Sequence, residues 1–302
     1  MLRTLHKQRS STSDAILRLI RSRAEYVFNP SIRKWQGKYI VAARTSSSAI
    51  AEVRASTFVI DAETMVVDED ATVDLSAIGE KLGISSVADP KLFEFQGSIW
   101  LTFNTGYVEH GNSVYVMTIY PEVGDPIRCD LAQRQLIEKN WAFFENESGQ
   151  LGAIYSLAPL TILSFEKQRD DSGQYYYSAR EDYYAANPVC NEMTIGTQPL
   201  VTENGLLLIA HQRIGHRKFR GYLGRPVRIS QSNGRWLANP SRLRLIHSLS
   251  TLLGSRPRRN KHLWFATYFS GISRLDAEVV VSYGINDQKA GIARLSSEAF
   301  SA

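Results

Sequence analysis

The residue with the most chemical reach in this chain is Asp89, in the run Val-Ala-Asp-Pro-Lys-Leu-Phe. It precedes a proline, which favours extended backbone, and stands directly ahead of an apolar strand pattern. A carboxylate so placed can act as a general acid, or it can form an Asx turn that caps the strand; the residues alone leave both readings open. Arg44 closes the apolar run Tyr39 to Ala43, so its guanidinium falls at a strand end, where it could hold an anion bidentately or make a surface ion pair. Lys139 and Asn140 lie between Glu138 and the aromatic run Trp141-Ala142-Phe143-Phe144. Polar groups at the threshold of a buried strand need partners, and either a ligand or, for Lys139, the neighbouring Glu138 could be that partner. His211 follows the run Gly205 to Ala210 and Asp287 follows Tyr283-Gly284-Ile285-Asn286. The first reads as a donor to a sugar hydroxyl or phosphate or as a satisfied core histidine, the second as a turn aspartate by default. Asn29, in Phe-Asn-Pro-Ser-Ile, completes the set.

Other chemistries lack their carriers. The chain contains no G-x-x-x-x-G-K-[ST], G-x-G-x-x-G, G-x-S-x-G or H-E-x-x-H motif, which removes the P-loop, dinucleotide-fold, hydrolase-elbow and zincin readings. His211 and His216 have no nearby carboxylate, so no metal site is expected on spacing.

The elements that must position these residues repeat. Segments 31–46, 91–106, 142–163, 199–214 and 274–295 each place an apolar or alternating run, a turn and a second apolar run in succession. The turns Gln36-Gly37, Gln96-Gly97, Ser148-Gly149 and Asn204-Gly205 carry glycine where two-residue hairpins need positive φ. Their spacing, roughly 50 to 70 residues, suits one four-stranded propeller blade per repeat. The fold class expected is all-β, a five-bladed β-propeller, with a large β-sandwich or two smaller β domains as the competing arrangement. Helical rhythm is confined to residues 14–24 and 76–82. Residues 1–25 form a basic, helical N-terminal lead and residues 26–302 a single domain. The stretch 254–262, rich in Arg and Lys, is expected to be an exposed loop. In a propeller the innermost strands converge on a central channel, and the polar residues at their ends form the site.

Composition sets the outer limits. The chain has 302 residues, is 43% hydrophobic and carries a net charge of +5. That is ample for a core, and the mild basic excess suits an anionic ligand. Cys129 and Cys190 are too few for a disulfide framework or a cysteine zinc site. No apolar run approaches a membrane span, and the N-terminus lacks a signal-peptide core. The expected location is cytoplasmic, with peripheral membrane contact by the basic lead as an open alternative. No nucleic-acid-binding module is recognisable, although the basic run 216–228 could track phosphates.

In order along the chain, FNPSI (28–32), Arg44, ADPKLF (88–93), EKNWAFFE (138–145), GTQPLV (196–201) with LIAHQRI (208–214), and YGINDQKAG (283–291) resemble the five-bladed β-propeller enzymes that act on mannosides. These are the glycoside hydrolase family 130 phosphorylases and the related propeller mannosyltransferases. The resemblance spans residues 26 to 298 and rests on the order of the segments. It implies that Asp89 is the acid assisting cleavage or formation of a glycosidic bond, that Asn29 and Asp287 hold sugar hydroxyls, and that Arg44, Lys139 and His211 surround an anionic co-substrate. Ala88 and Lys91 depart from the acidic and Arg positions that usually flank the catalytic Asp-Pro, and segment 153–160 has no Arg. The EKNW segment followed by Tyr155-Ser156-Leu157-Ala158-Pro159 is more similar to the members that build glycans. The expected activity is therefore transfer of a hexosyl unit, mannosyl by resemblance, from a phosphate-bearing donor to a glycan acceptor in polysaccharide biosynthesis. A mannoside phosphorylase, a hydrolase on the same scaffold and a non-catalytic glycan-binding propeller are the alternatives. The partners implied are a sugar nucleotide or sugar phosphate and a glycan acceptor. No cofactor is implied beyond a divalent ion carried by a nucleotide donor.

Overall fold

Alternation along single strands decides where the apolar cores form. In the strand Lys38–Ser46, Tyr39, Val41 and Ala43 face one core while Ile40 and Ala42 face another. Successive side chains of a strand point to opposite faces, so a sheet with apolar residues at every position must be covered on both sides.

The computed structural model describes residues 1–48, 52–84, 86–106, 111–138, 140–216, 219–250, 263–275 and 278–295. A short strand β1 (Leu2–Thr4) and helix α1 (Ser11–Arg21) come first. Five antiparallel meanders follow. The first is β2 (Tyr26–Trp35), β3 (Lys38–Ser46), β4 (Arg54–Asp61) and β5 (Val67–Asp74), ending in helix α2 (Leu75–Lys81). The second is β6 (Ala88–Phe95), β7 (Ser98–Asn104), β8 (Val114–Tyr120) and β9 (Ile127–Leu131). The third is β10 (Ala142–Glu145), β11 (Leu151–Leu157), β12 (Leu160–Arg169) and β13 (Tyr175–Ala185). The fourth has a broken inner strand, β14 (Met193–Ile195) and β15 (Leu200–Thr202), then β16 (Gly205–His216), β17 (Phe219–Ser232) and β18 (Arg235–Pro240), with β19 (Arg244–Ile246) beyond. The fifth is β20 (Leu263–Leu275), β21 (Glu278–Ile285) and β22 (Lys289–Leu295). The chain is thus nearly all-β, with helices close to the two stretches of helical rhythm.

Each apolar cluster fills the gap between one meander and the next. Ile40 and Val59 meet Leu92 and Leu101; Phe93 and Val116 meet Phe143 and Ala153; Ile154 and Ile162 meet Leu208 and Val227; Ile209 meets Phe269 and Val281. A further cluster joins the last meander to the first, with Val280 and Ile292 against Val27 and Val41, and Ile16, Leu17 and Ile20 of α1 seated on it. Ser10 caps that helix by accepting from the Ser13 N–H. The lead is bound in turn, because β1 pairs in parallel with β19. No helix among the described residues is long and apolar enough to cross a membrane.

The innermost strands β2, β6, β10, β14/β15 and β20 do not pair with one another in any backbone ladder. Side chains connect them instead. Ser31 accepts from the Leu92 N–H at 3.0 Å, and Ser270 donates to the Pro30 carbonyl at 2.7 Å. Gln198, buried, donates to the Trp141 carbonyl at 2.8 Å and accepts from the Phe143 N–H at 2.6 Å. Arg33 donates to the Pro199 carbonyl at 3.0 Å and to the Ile272 carbonyl.

Two outcomes follow. Gln198→Leu leaves two buried backbone groups unpaired, each costing about 1–3 kcal/mol; urea unfolding is expected to show a lower midpoint with an unchanged m-value. His247 is held near pKa 4, first by burial and then by the charges of His6, Arg9, Arg21 and Lys289, and its Nδ1 lies 3.1 Å from the Tyr283 hydroxyl. A histidine neutral in the fold but protonated in the unfolded chain favours folding above its unfolded pKa of about 6.5. Stability should fall between pH 6.5 and 4, and His247→Gln should flatten that part of the profile in thermal unfolding.

Candidate active site

Four candidates from the sequence occupy left-handed backbone: Asn29 (φ 51°), Asp89 (φ 50°), Asn140 (φ 63°) and Asp287 (φ 53°). Asn and Asp enter that region more easily than other residues bearing a Cβ. Asn29 and Asp89 reach it by the same device. The β2/β3 register shifts between Phe28 and Ser31, and the β6/β7 register between Ala88 and Lys91. Each is a bulge at the start of an innermost strand, and a bulge re-aims the side chain it carries. Pro30 and Pro90 have no N–H for the ladder to lose. The extended geometry that the following proline favours is therefore not the one Asp89 adopts.

Asp89 meets Arg44 across the first and second meanders, with Nη1 3.2 Å from Oδ1. The guanidinium also lies over the Phe28 ring, 5.2 Å from its centroid. Their side chains remain 25% and 20% exposed, so the pair, at the starting end of the inner strands, is partly open to solvent. Lys91, buried, donates from Nζ to Asn140 Oδ1 at 2.7 Å. The same oxygen accepts from the Tyr268 hydroxyl at 3.1 Å, and the Lys91 ammonium sits 5.6 Å from the Tyr268 ring centroid. The Tyr268 ring in turn packs on His211, centroids 4.2 Å apart. Burial pushes the Tyr268 phenol well up, and the carboxylates of Asp89 and Asp287 push it further while Arg44 opposes them. It is a hydrogen-bond donor at neutral pH.

The structure thus joins Asp89 to Arg44, and Asn140 through Tyr268 to His211, with Asp287 acting electrostatically on the same tyrosine. Asn286 and Asp287 are the central residues of the turn closed by the Gln288 N–H on the Ile285 carbonyl, within the three-residue connection between β21 and β22, and the Asn286 side chain anchors that turn by accepting from the Ala266 N–H at 2.8 Å. Asn29 is buried against Gly284, and its Oδ1 has no hydrogen-bond partner in the protein. Lys139 lies outside the described residues, as does the loop 254–262. Glu138 spends its carboxylate locally, accepting from the Trp141 indole at 3.0 Å, the Tyr155 hydroxyl at 2.9 Å and the Gln135 N–H at 2.6 Å. Burial and then Glu138 push the Tyr155 pKa up to about 12. Among the described residues, no cluster of three His, Cys, Asp or Glu is placed to hold a metal.

Sequence reasoning missed Tyr268, which reads in Trp-Phe-Ala-Thr-Tyr-Phe as one more strand aromatic. Lys91 did carry a signal, a cation directly after Asp-Pro at the start of an apolar run. A groove of about 550 Å³ runs past Gln133, Gln135 and, on the third meander, Tyr155 and Tyr184.

No protein-family model matches the chain, and no curated protein matches it in sequence. Solved structures do match in fold. A Parabacteroides distasonis protein classed provisionally as a glycoside hydrolase aligns over 89% of this chain and 86% of its own at 11% identity, with a TM-score of 0.60. MPT-4, a mannose phosphorylase from Leishmania mexicana in complex with phosphate ion, aligns over 90% and 84% at 12% identity, TM-score 0.55. The β-1,2-mannobiose phosphorylase of Listeria innocua aligns over 91% of each chain at 12% identity, TM-score 0.54. The chain shares their fold.

Glycine at 284 is what lets Asn29 into its place, since a Cβ there would fall 1.8 Å from Asn29 Oδ1. Gly284→Ala must displace the amide and is expected to cost about 1–3 kcal/mol, the usual range for overpacking. Unchanged stability in urea would contradict this placement.

Proposed function

We propose that this protein transfers a mannosyl unit between a glycan and phosphate, as a mannoside phosphorylase whose reverse direction extends a glycan from a sugar phosphate. The scaffold in this reading is a five-bladed β-propeller, each meander one blade, in a cytoplasmic protein. The observation that carries it is one partly exposed carboxylate, Asp89, paired with Arg44 and lining the same small cavity as the buried Lys91. The fold shared with two mannoside phosphorylases supports the same class.

The chemistry needs one acid. A phosphate oxygen attacks the anomeric carbon, the glycosidic C–O bond breaks, and the departing oxygen takes a proton from Asp89. Fixed cations stabilise the phosphate as its charge redistributes. Arg44 holds Asp89 at 3.2 Å; a phosphate that engaged Arg44 would compete for it and leave Asp89 free to carry the proton. Lys91 would supply the second positive charge from within the channel, taking the place of the arginine expected after Asp-Pro. Asn29, Asn140 and Asp287 would hold sugar hydroxyls, with Lys139 and His211 beside the anion. Biosynthetic transfer from a sugar nucleotide has less support than phosphorolysis, because nothing in the site or in the shared fold calls for a nucleobase pocket.

Hydrolysis is the second reading. It would need Asp89 and Asp287, whose charges both act on the Tyr268 phenol, to flank the scissile bond from opposite sides of the sugar.

Asp89→Asn is expected to lower turnover of mannose 1-phosphate plus an oligosaccharide acceptor by about 10²–10⁴-fold, the usual worth of a general acid. Stability should stay within about 1 kcal/mol, because the Arg44 pair is partly exposed. Full turnover by this variant would end the assignment.

A further inference from the structure

A cavity of about 760 Å³ lies away from Asp89, between the third and fourth meanders. Its walls come from the turns at 146–148, 203–205 and 234–236. The strand β10 leads from beside Asn140 down to Glu145, and at about 3.3 Å per residue it puts Glu145, on the cavity wall, at most about 17 Å from Asn140, at the other end of the strand.

We propose that this cleft is a second, non-catalytic carbohydrate-binding site that takes a neutral oligosaccharide. Its volume falls within the roughly 300–1,000 Å³ of small-ligand sites. Three aromatic rings line it: Phe144, Tyr183 and Trp236. Phe144 and Trp236 meet edge to face with centroids 5.8 Å apart. Gly152 permits this, because a Cβ there would press on the Phe144 ring at 3.0 Å. Tyr183 and Trp236 are half-buried on the apolar core between the two meanders, so the core holds their rings while part of each stays open to the cleft. Rings fixed in that way offer flat apolar surface to the C–H face of a sugar at little entropic cost.

The polar lining selects the ligand further. It consists of carboxylates, amides and hydroxyls, with no Lys or Arg among the lining residues. Carboxylates accept from sugar hydroxyls and repel phosphate and sugar acids, the reverse of the Arg44 and Lys91 surroundings of Asp89. A cationic ligand fits less well, because Glu145 already accepts from the Gln96 N–H at 2.8 Å and Asp182 pairs with Arg180 at 3.3 Å. That leaves Glu147 and Glu203, both exposed at the rim. The inference stands whether or not Asp89 is catalytic.

The test is native affinity electrophoresis of the Asp89→Asn protein through gels containing yeast mannan, glucomannan or dextran. At least one polymer should retard the protein, and Trp236→Ala should weaken that retardation tenfold or more. Glu203→Arg, which alters only an exposed side chain, should weaken it several-fold with the fold intact. Absence of retardation by every polymer overturns the proposal. So does retardation that survives both variants, or retardation abolished by Asn140→Ala in the central channel. Thermal stabilisation by polylysine without retardation by any polysaccharide would also overturn it, in favour of a cationic partner.

Discussion

The constraint on which this structure turns is that its innermost strands meet at an axis without pairing. A strand at the middle of a sheet satisfies its backbone on both sides, but here no inner strand has a ladder to another inner strand, and β6, β10, β14 and β15 have a ladder on one side only. The other side must be satisfied by something else, because a buried N–H or C=O left alone costs about 1–3 kcal/mol. Ser31, Gln198, Ser270 and Arg33 supply the missing partners, each reaching from one inner strand to the backbone of another. Polar residues in the midst of apolar strands are thus structural staples. They hold the inner strands in a defined register, and the candidate site inherits its geometry from that register.

The site occupies one end of the same axis. Where a strand begins it can bulge, and where it bulges an Asn or Asp can turn its side chain toward the channel. Asn29 and Asp89 use this solution in adjacent meanders, while Asn140 and Asp287 reach left-handed backbone in other ways. Charge is distributed to match. The cations Arg44 and Lys91 belong to separate meanders, and Tyr268 lies against Asn140, Lys91 and His211. A change at Tyr268 would therefore be felt by three meanders at once.

Much of the fold was legible because hairpin chemistry is local. Gln36-Gly37 and Gln96-Gly97 take positive φ at both residues, as a two-residue turn between strands requires, and the repeat of such turns reveals the meanders. The site was legible in part for the same reason. Residues at strand ends, such as Asp89, Arg44 and Asn140, are marked by a sudden polar group beside an apolar run. Tyr268 carries no such mark, since its hydrogen-bond partner Asn140 and the ammonium of Lys91 lie more than a hundred positions away in sequence. The backbone of Asp89 was misread because the rule for residues before proline takes no account of a bulge. The acidic aromatic cleft at the far end of β10 was equally invisible, its walls coming from turns of two different meanders.

The central claim is that phosphate, not water, receives the sugar. The direct measurement is phosphorus NMR of the protein with β-1,2-mannobiose and inorganic phosphate, run beside the same mixture without phosphate. The account predicts a hexose 1-phosphate signal that grows with equimolar free mannose, and no breakdown when phosphate is left out. Free mannose released at the same rate with or without phosphate would contradict it and establish hydrolysis at the same site.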